Sequence, residues 1–232
     1  LTSLQLQSVY LLLGCPKPCT LYFVLAIYSL ENKCPEISIF LVFTGKFPKG
    51  ISKPSKSMAH IAVLGLGNWG SAIARLWLLE GHKVKGWTIE QEVYESITME
   101  GMNHKYLPDH SLEGLEATMH VEEALEGSEI IVLAVPSSVI LNVVEDIIPH
   151  LRPGHVLLDL AKGLAPGKRL ISEAIHQMLN DNNMHNPLAV LTGPTIAPEA
   201  AGGVMTTALV ASEDVSVAEN LATTLTLSLI HI

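Results

Sequence analysis

The chain has 232 residues, 48% of them hydrophobic and 16% charged, with a net charge of −9 at neutral pH. That length suits one large domain or two small ones. The acidic balance supplies no basic face for a nucleic-acid backbone, so DNA and RNA are not expected partners.

The average hides two unlike parts. Residues 1–57 carry six lysines, no arginine and two glutamates, a balance of +4, and all three cysteines, Cys15, Cys19 and Cys34. Residues 58–232 carry a balance of −13 and no cysteine. Cys15 and Cys19 lack a second pair or a histidine at zinc spacing, so no metal site is expected. A cysteine-free main region holds no disulfide framework, which fits a reducing compartment. Residues 1–57 show no sustained period and read as an irregular, non-native extension ahead of a natural start at Met58. A transit segment is one alternative and would give a plastid rather than a cytoplasmic address, although the expected arginine is missing. A membrane anchor is another, although the longest apolar run, Leu21 to Leu30, is too short to span a bilayer.

Residues 58 to 226 read as one domain. Ile61 to Leu64 is a short apolar run of the kind that forms a strand buried on both faces, here taken as 60–64. Gly65, Gly67 and Gly70 follow in G-x-G-x-x-G spacing. Trp69, Ile73, Leu76 and Trp77 then recur at helical spacing, predicting a helix from Asn68 to about Glu80. Each glycine has a task in that context: Gly65 the tight turn, Gly67 close approach to a pyrophosphate, Gly70 close packing of helix on strand. A plain βα turn is the bland alternative, but strand, loop and helix stand in the right order.

Gly81-His82 turns the chain into a second strand, Lys83 to Trp87. A polar helix is expected from about Glu90 to Gly101, with Val93 and Ile97 inward. The stretch N-H-K-Y-L-P-D-H-S-L reads as a loop, followed by a short strand near Thr118 to His120 and a brief helix in V-E-E-A-L-E-G. Ile130 to Val135 is the next buried strand, halted by Pro136. Ser137-Ser138 can cap the helix that follows, whose Ile140, Val143, Val144 and Ile147 share one face. Val156 to Ala161 is another strand, ending at Lys162-Gly163, and a helix is expected from about Lys168 to Asn180. Leu188 to Leu191 is a strand with T-G-P-T-I-A-P-E-A as its exit loop, and Thr206 to Ala211 is the last strand. Residues 213–226 begin a helix with Val217, Leu221 and Leu225 on one face. The final L-S-L-I-H-I, residues 227–232, reads as a non-native tail. Strands alternating with helices in this rhythm predict a Rossmann-type α/β fold around a doubly wound, mostly parallel sheet.

Such sheets bind ligands beyond the carboxyl ends of their strands. Those ends are Gly65–Gly70, Trp87–Glu90, Val135–Ser138, Lys162-Gly163 and Gly193–Ala197. Lys162 follows a strand directly, so it can pair with a substrate phosphate or stabilise charge growing on a carbonyl oxygen. The bland reading is a solvated turn lysine. Asp159 is read as a buried structural residue. Gly193-Pro194-Thr195 offers an approachable backbone and a hydroxyl donor, or else a simple strand-exit turn. The ten histidines form no H-E-x-x-H and no ligand cluster, and neither a nucleophile elbow nor a Walker lysine is present.

Five strings then occur together: G-L-G-N-W-G, Y-L-P at 106–108, A-V-P-S at 134–137, K-G-L at 162–164 and G-P-T-I-A-P-E at 193–199. In order and approximate spacing they resemble the NAD(P)-dependent glycerol-3-phosphate dehydrogenases, over about residues 59–225. The resemblance implies the N-terminal dinucleotide domain of that family, and reversible hydride transfer between NAD(P)H and dihydroxyacetone phosphate, giving sn-glycerol 3-phosphate for phospholipid synthesis. It implies that Gly65, Gly67, Asn68, Trp69, Gly70, Pro136 and Ala197 meet the cofactor. Gly193 and Thr195 would meet the substrate, and Lys162 both. An α-helical second domain, carrying the family's proton-donating lysine and forming a homodimer, would lie beyond residue 232. On that expectation this chain alone turns over negligibly, because hydride delivery to a carbonyl leaves an alkoxide that needs a proton.

Cofactor choice should be decided after the second strand, at Ile89 and Glu90. Many relatives carry arginine or histidine at Ile89, where a cation would hold the 2′-phosphate of NADP, whereas an acid binds the free ribose hydroxyl of NAD. With Glu90 adjacent and no cation nearby, the segment favours NAD. Pro198 stands where relatives often have lysine. Two rivals remain: another Rossmann reductase of the hydroxyacid or ketopantoate type, and a non-catalytic nucleotide-binding protein.

Overall fold

The computed structural model describes residues 38–43, 58–193, 196–203 and 207–225, with side chains from Met58 onward apart from Thr207. In chain order its elements begin with β1 (Ser38–Phe43), β2 (His60–Leu64), α1 (Asn68–Leu79), β3 (Lys83–Trp87) and α2 (Gln91–Glu100). Next come β4 (Met102–Asn103), β5 (Leu107–Ser111), β6 (Glu116–Thr118), α3 (Val121–Leu125), β7 (Ile130–Leu133), α4 (Ile140–Ile147) and β8 (Val156–Asp159). The remainder are β9 (Leu164–Ala165), β10 (Arg169–Leu170), α5 (Ile171–Asp181), β11 (Leu188–Thr192), α6 (Ala197–Ala201), β12 (Thr207–Ser212) and α7 (Val215–Leu225).

Because side chains alternate along a strand, the apolar run of β2 feeds two cores. Ile61 and Val63 join one with α1, α2, α6 and α7; Ala62 and Leu64 join the other with α3, α4 and α5. β7 divides in the same way, Ile130 and Val132 to the first core, Ile131 and Leu133 to the second. A sheet buried on both faces by helices is the doubly wound arrangement. Within the helices the expected inward residues are buried: Val93 and Ile97 in α2, and Ile140, Val143, Val144 and Ile147 in α4.

The sheet has eight strands in the order β1-β12-β11-β8-β7-β2-β3-β6. From β6 to β11 all neighbours are parallel. The chain leaves β2 toward β3 and β6, then returns to the other side of β2 with β7. Strand order therefore reverses between β2 and β7, and a crevice opens at their carboxyl ends.

Several local expectations shift. The stretch read as a loop after α2 is a hairpin, β4 with β5. The strand placed near Thr118–His120 lies at Glu116–Thr118. The helix expected from Lys168 starts at Ile171, because Gly167 and Lys168 take positive φ (79° and 62°) and turn the chain into the β9–β10 hairpin first. Glu173 then accepts the N–H of Leu170 at 3.1 Å, closing the first turn of α5. Ser137 and Ser138 do not cap α4: the N-cap is Val139, without a side-chain bond, and its N–H goes to the carbonyl of Pro136 at 3.0 Å.

The exit loop after β11 contains the helix α6. Five helical residues advance only about 7 Å, well short of a strand's length, so the chain does not recross the sheet and β12 runs antiparallel to β11. β1, inside the segment read as irregular, pairs antiparallel with β12 from Ser38↔Ser212 to Phe43↔Thr207. An edge strand set by distant pairing leaves no period of its own in so short a run. Residues 1–37 and 44–57 and the tail 227–232 lie outside the described residues. No helix among the described residues is long and apolar enough to cross a membrane.

Candidate functional site

The glycine loop sits where the strand order reverses. Gly65 has φ +105°, and a Cβ there would meet Val135 Cγ1 at 2.8 Å and the Ala134 carbonyl oxygen at 2.9 Å. A Cβ on Gly70 would lie 1.8 Å from the carbonyl oxygen of Gly65, so the first turn of α1 rests directly on the loop backbone. Gly67 is the opposite case, with no heavy atom within 4 Å of its Cβ position. It is also the N-cap of α1, and no side chain caps that end. The first N–H groups of a helix have no partner within it. Here those of Asn68 and Trp69 follow the open Gly67 position at the positive end of a twelve-residue helix, an arrangement that suits a phosphate. Packing on the far side is equally close: Leu66 is buried and covers Gly86 of β3, whose Cβ position lies 2.7 Å from Leu66 Cδ2.

The next two strand exits adjoin this loop. Pro136 is exposed and follows Ala134-Val135, which abut Gly65. Lys162 is exposed at the end of the β8 exit, and Gly163 approaches Ser137, with its Cβ position 3.0 Å from Ser137 Oγ. The exits of β2, β7 and β8 thus form a continuous rim. Gly193 follows β11 and is half-buried. Ala197 opens α6, which Arg75 of α1 anchors through an N–H to the Ala201 carbonyl at 3.3 Å. Pro194 and Thr195 lie outside the described residues.

A buried asparagine that the sequence reading passed over ties the second strand's surroundings to the loop. Asn103, in β4, is 0% exposed. Its amide donates to the Leu66 carbonyl at 2.9 Å and to Ser71 Oγ at 2.8 Å, and its oxygen accepts the N–H of Tyr106 at 3.1 Å. Ser71 Oγ donates to the same Leu66 carbonyl at 3.1 Å. The β4–β5 hairpin is therefore latched to the glycine loop. Its signal was the N-x-x-Y-L-P string, which names the residues but not the contact.

The hairpin also corrects the expectation that no cation lies near Glu90. Ile89 is 74% exposed, and beside it Lys105 Nζ lies 2.5 Å from Glu90 Oε2 and also bonds Glu92. Tyr106 donates its hydroxyl to Glu90 Oε1 at 2.8 Å. The bond from Lys105, then that from Tyr106, holds the Glu90 carboxyl below the usual range. Fifteen residues of chain separate the ion pair, so local reading could not find it.

Asp159, the last residue of β8, is 2% exposed and accepts the N–H of Ala161 at 2.8 Å, ordering the turn before Lys162. Burial pushes its carboxyl up to about 6. An unfolded aspartate titrates near 3.9, so the folded chain binds the proton more tightly. That contribution to stability is present below about pH 4 and is lost as pH rises through about 6. Asp159→Asn keeps an acceptor for Ala161 without the charge. It should raise thermal stability at pH 7.5 by up to ~3 kcal/mol, with the gain vanishing toward pH 4. Melting curves of the pair across pH check this; a difference independent of pH would contradict it.

Comparison with known proteins adds an independent line. The sequence profile described as "NAD-dependent glycerol-3-phosphate dehydrogenase N-terminus" matches residues 60–218. A glycerol-3-phosphate dehydrogenase [NAD(P)+] of Halothermothrix orenii is 38% identical over 164 residues, covering 70% of this chain and 47% of the relative. One from Syntrophotalea carbinolica is 36% identical over 161 residues, covering 68% and 48%. The crystal structure of glycerol-3-phosphate dehydrogenase from Coxiella burnetii superposes with a TM-score of 0.57 at 33% identity, covering 62% of this chain and 44% of that one. The chain spans about half the length of the curated relatives it matches.

Proposed function

The chain belongs to the NAD-dependent glycerol-3-phosphate dehydrogenase family, and on that premise we propose that it forms the coenzyme-binding part of an enzyme that reduces dihydroxyacetone phosphate to sn-glycerol 3-phosphate. The observation that carries this reading is the uncapped start of α1 with open space at Gly67, set where the strand order reverses. Those features fit a dinucleotide: backbone N–H groups for the diphosphate, no side chain in their way, and no acidic residue in the first helical turn.

A nicotinamide coenzyme held on the glycine loop would supply hydride chemistry at the substrate carbon. The residues of this chain provide the surroundings. The amides of Asn68 and Trp69 hold the diphosphate, and Pro136 and Ala197 bound the cleft on either side. Lys162 brings a fixed positive charge to the β8 exit, where it pairs with the substrate and offsets charge on its oxygen. Gly193 and Thr195 supply the substrate's remaining contacts. Glu90 meets the adenosine ribose, which favours NAD over NADP. The product suits glycerophospholipid synthesis, and the natural enzyme acts as a homodimer.

The test is coenzyme oxidation by the natural protein with a panel of ketones. NADH should be consumed with dihydroxyacetone phosphate and not with ketopantoate or unphosphorylated dihydroxyacetone. Equal turnover without the phosphate would point to the hydroxyacid-type reductases. Nucleotide binding without turnover on any ketone would point to a sensor.

A further inference from the structure

The ion cluster at the end of β3 has a shape that an ordinary solvated surface does not need. Its members come from two elements: Glu90 caps α2, Glu92 lies in its first turn, and Lys105 and Tyr106 come from the β4–β5 hairpin. The hairpin is not free to drift, because Asn103 bonds it to Leu66 and Ser71 of the glycine loop. Lys105 also lies 5.5 Å from the centre of the Tyr106 ring, which limits where its ammonium can go. Glu90 receives a bond on each oxygen, Oε2 from Lys105 and Oε1 from Tyr106, so its carboxylate is fixed in orientation. It stands about 20 residues beyond the glycine loop, where an acid meets a ribose in this kind of fold.

Charge then decides what this corner accepts. Two carboxylates surround one ammonium, and the ammonium is already shared between them. The surplus is one negative charge, and the cation is occupied. We propose that Lys105 and Glu92 set the coenzyme preference of the site: Lys105 holds the Glu90 carboxylate toward the adenosine ribose, while Glu92 keeps Lys105 engaged and leaves a surplus negative charge that rejects a 2′-phosphate. This rests on the reading that a dinucleotide lies on the glycine loop. Lys105 is thus a positioning residue in the resting cluster and becomes a phosphate ligand only when both acids are neutralised. The cluster is partly exposed, so its effect weakens as salt rises.

Titrations of the 232-residue chain with NADH and with NADPH, followed by tryptophan fluorescence into the millimolar range, test this. The chain should bind NADH about tenfold more tightly than NADPH at low salt, an order set by nearby charge. Glu90→Gln with Glu92→Gln should reverse that order, shifting the ratio at least tenfold toward NADPH. Lys105→Met should shift it further toward NADH while weakening NADH itself a few-fold, through loss of the Glu90 clamp. These side chains are on the surface, and melting curves confirm that the variants stay folded. Binding of both coenzymes with a ratio unmoved by the double variant would overturn the inference and leave the cofactor reading standing. No binding of either coenzyme would overturn both.

Discussion

Gly70→Ala is expected to cost at least ~3 kcal/mol, more than overpacking usually does. The added methyl would sit 1.8 Å from the carbonyl oxygen of Gly65 and 3.3 Å from the Ala134 Cβ. A flexible side chain could swing aside from such a clash, but Gly65 cannot. Its own φ of +105° and its close contact with Ala134 and Val135 leave it no room. Either α1 lifts from the sheet or the loop opens, and both destroy the crevice. For a domain of this size, ~3 kcal/mol lowers the melting temperature by about 10 °C. Gly67→Ala is the matched control. Its φ of −72° suits any residue and its Cβ position is open, so it should melt within a few degrees of wild type. It should still weaken coenzyme binding, because the methyl takes space that the proposed diphosphate site needs. Thermal melts paired with NADH titration read both effects. A Gly70→Ala chain that melts like wild type would contradict the packing account, and a Gly67→Ala chain with unchanged affinity would contradict the cradle.

The second large effect is expected at Lys162, measured in the natural protein. Lys162→Met should leave the melting temperature unchanged, since the side chain is exposed and makes no core contact. It should reduce kcat/KM for dihydroxyacetone phosphate by about 10²–10³-fold, the usual cost of removing one fixed charge from a reacting oxygen. In the proposed role the same ammonium also pairs with the substrate before reaction, so KM should rise and kcat should fall. The partition separates this role from that of a turn lysine, which would move neither. Activity within a few-fold of wild type would return Lys162 to the solvated turn.

Much of this was legible in the residues, for identifiable reasons. β2, the glycine loop and α1 form one contiguous stretch, so their period and spacing are written side by side. The faces of α2 and α4 could be read because burial follows helical spacing within a few residues. What escaped depended on contacts between distant segments. Asn103 looks like a polar loop residue until Leu66 and Ser71 are brought to it. Lys105 looks like an isolated surface charge until the hairpin folds it against Glu90. The antiparallel turn of β12 follows from the shortness of α6, and the pairing of β1 belongs to neither segment alone. Ser137 illustrates the limit of a local rule. It is a good capping residue by type, yet the helix starts after Val139 and takes no side-chain cap.

The most direct test of the account is a crystal structure of the chain with saturating NADH. The diphosphate should lie against the amides of Asn68 and Trp69, the adenosine ribose at Glu90 and the nicotinamide facing the Lys162 ammonium. An empty glycine loop, or a nicotinamide turned away from Lys162, would contradict it.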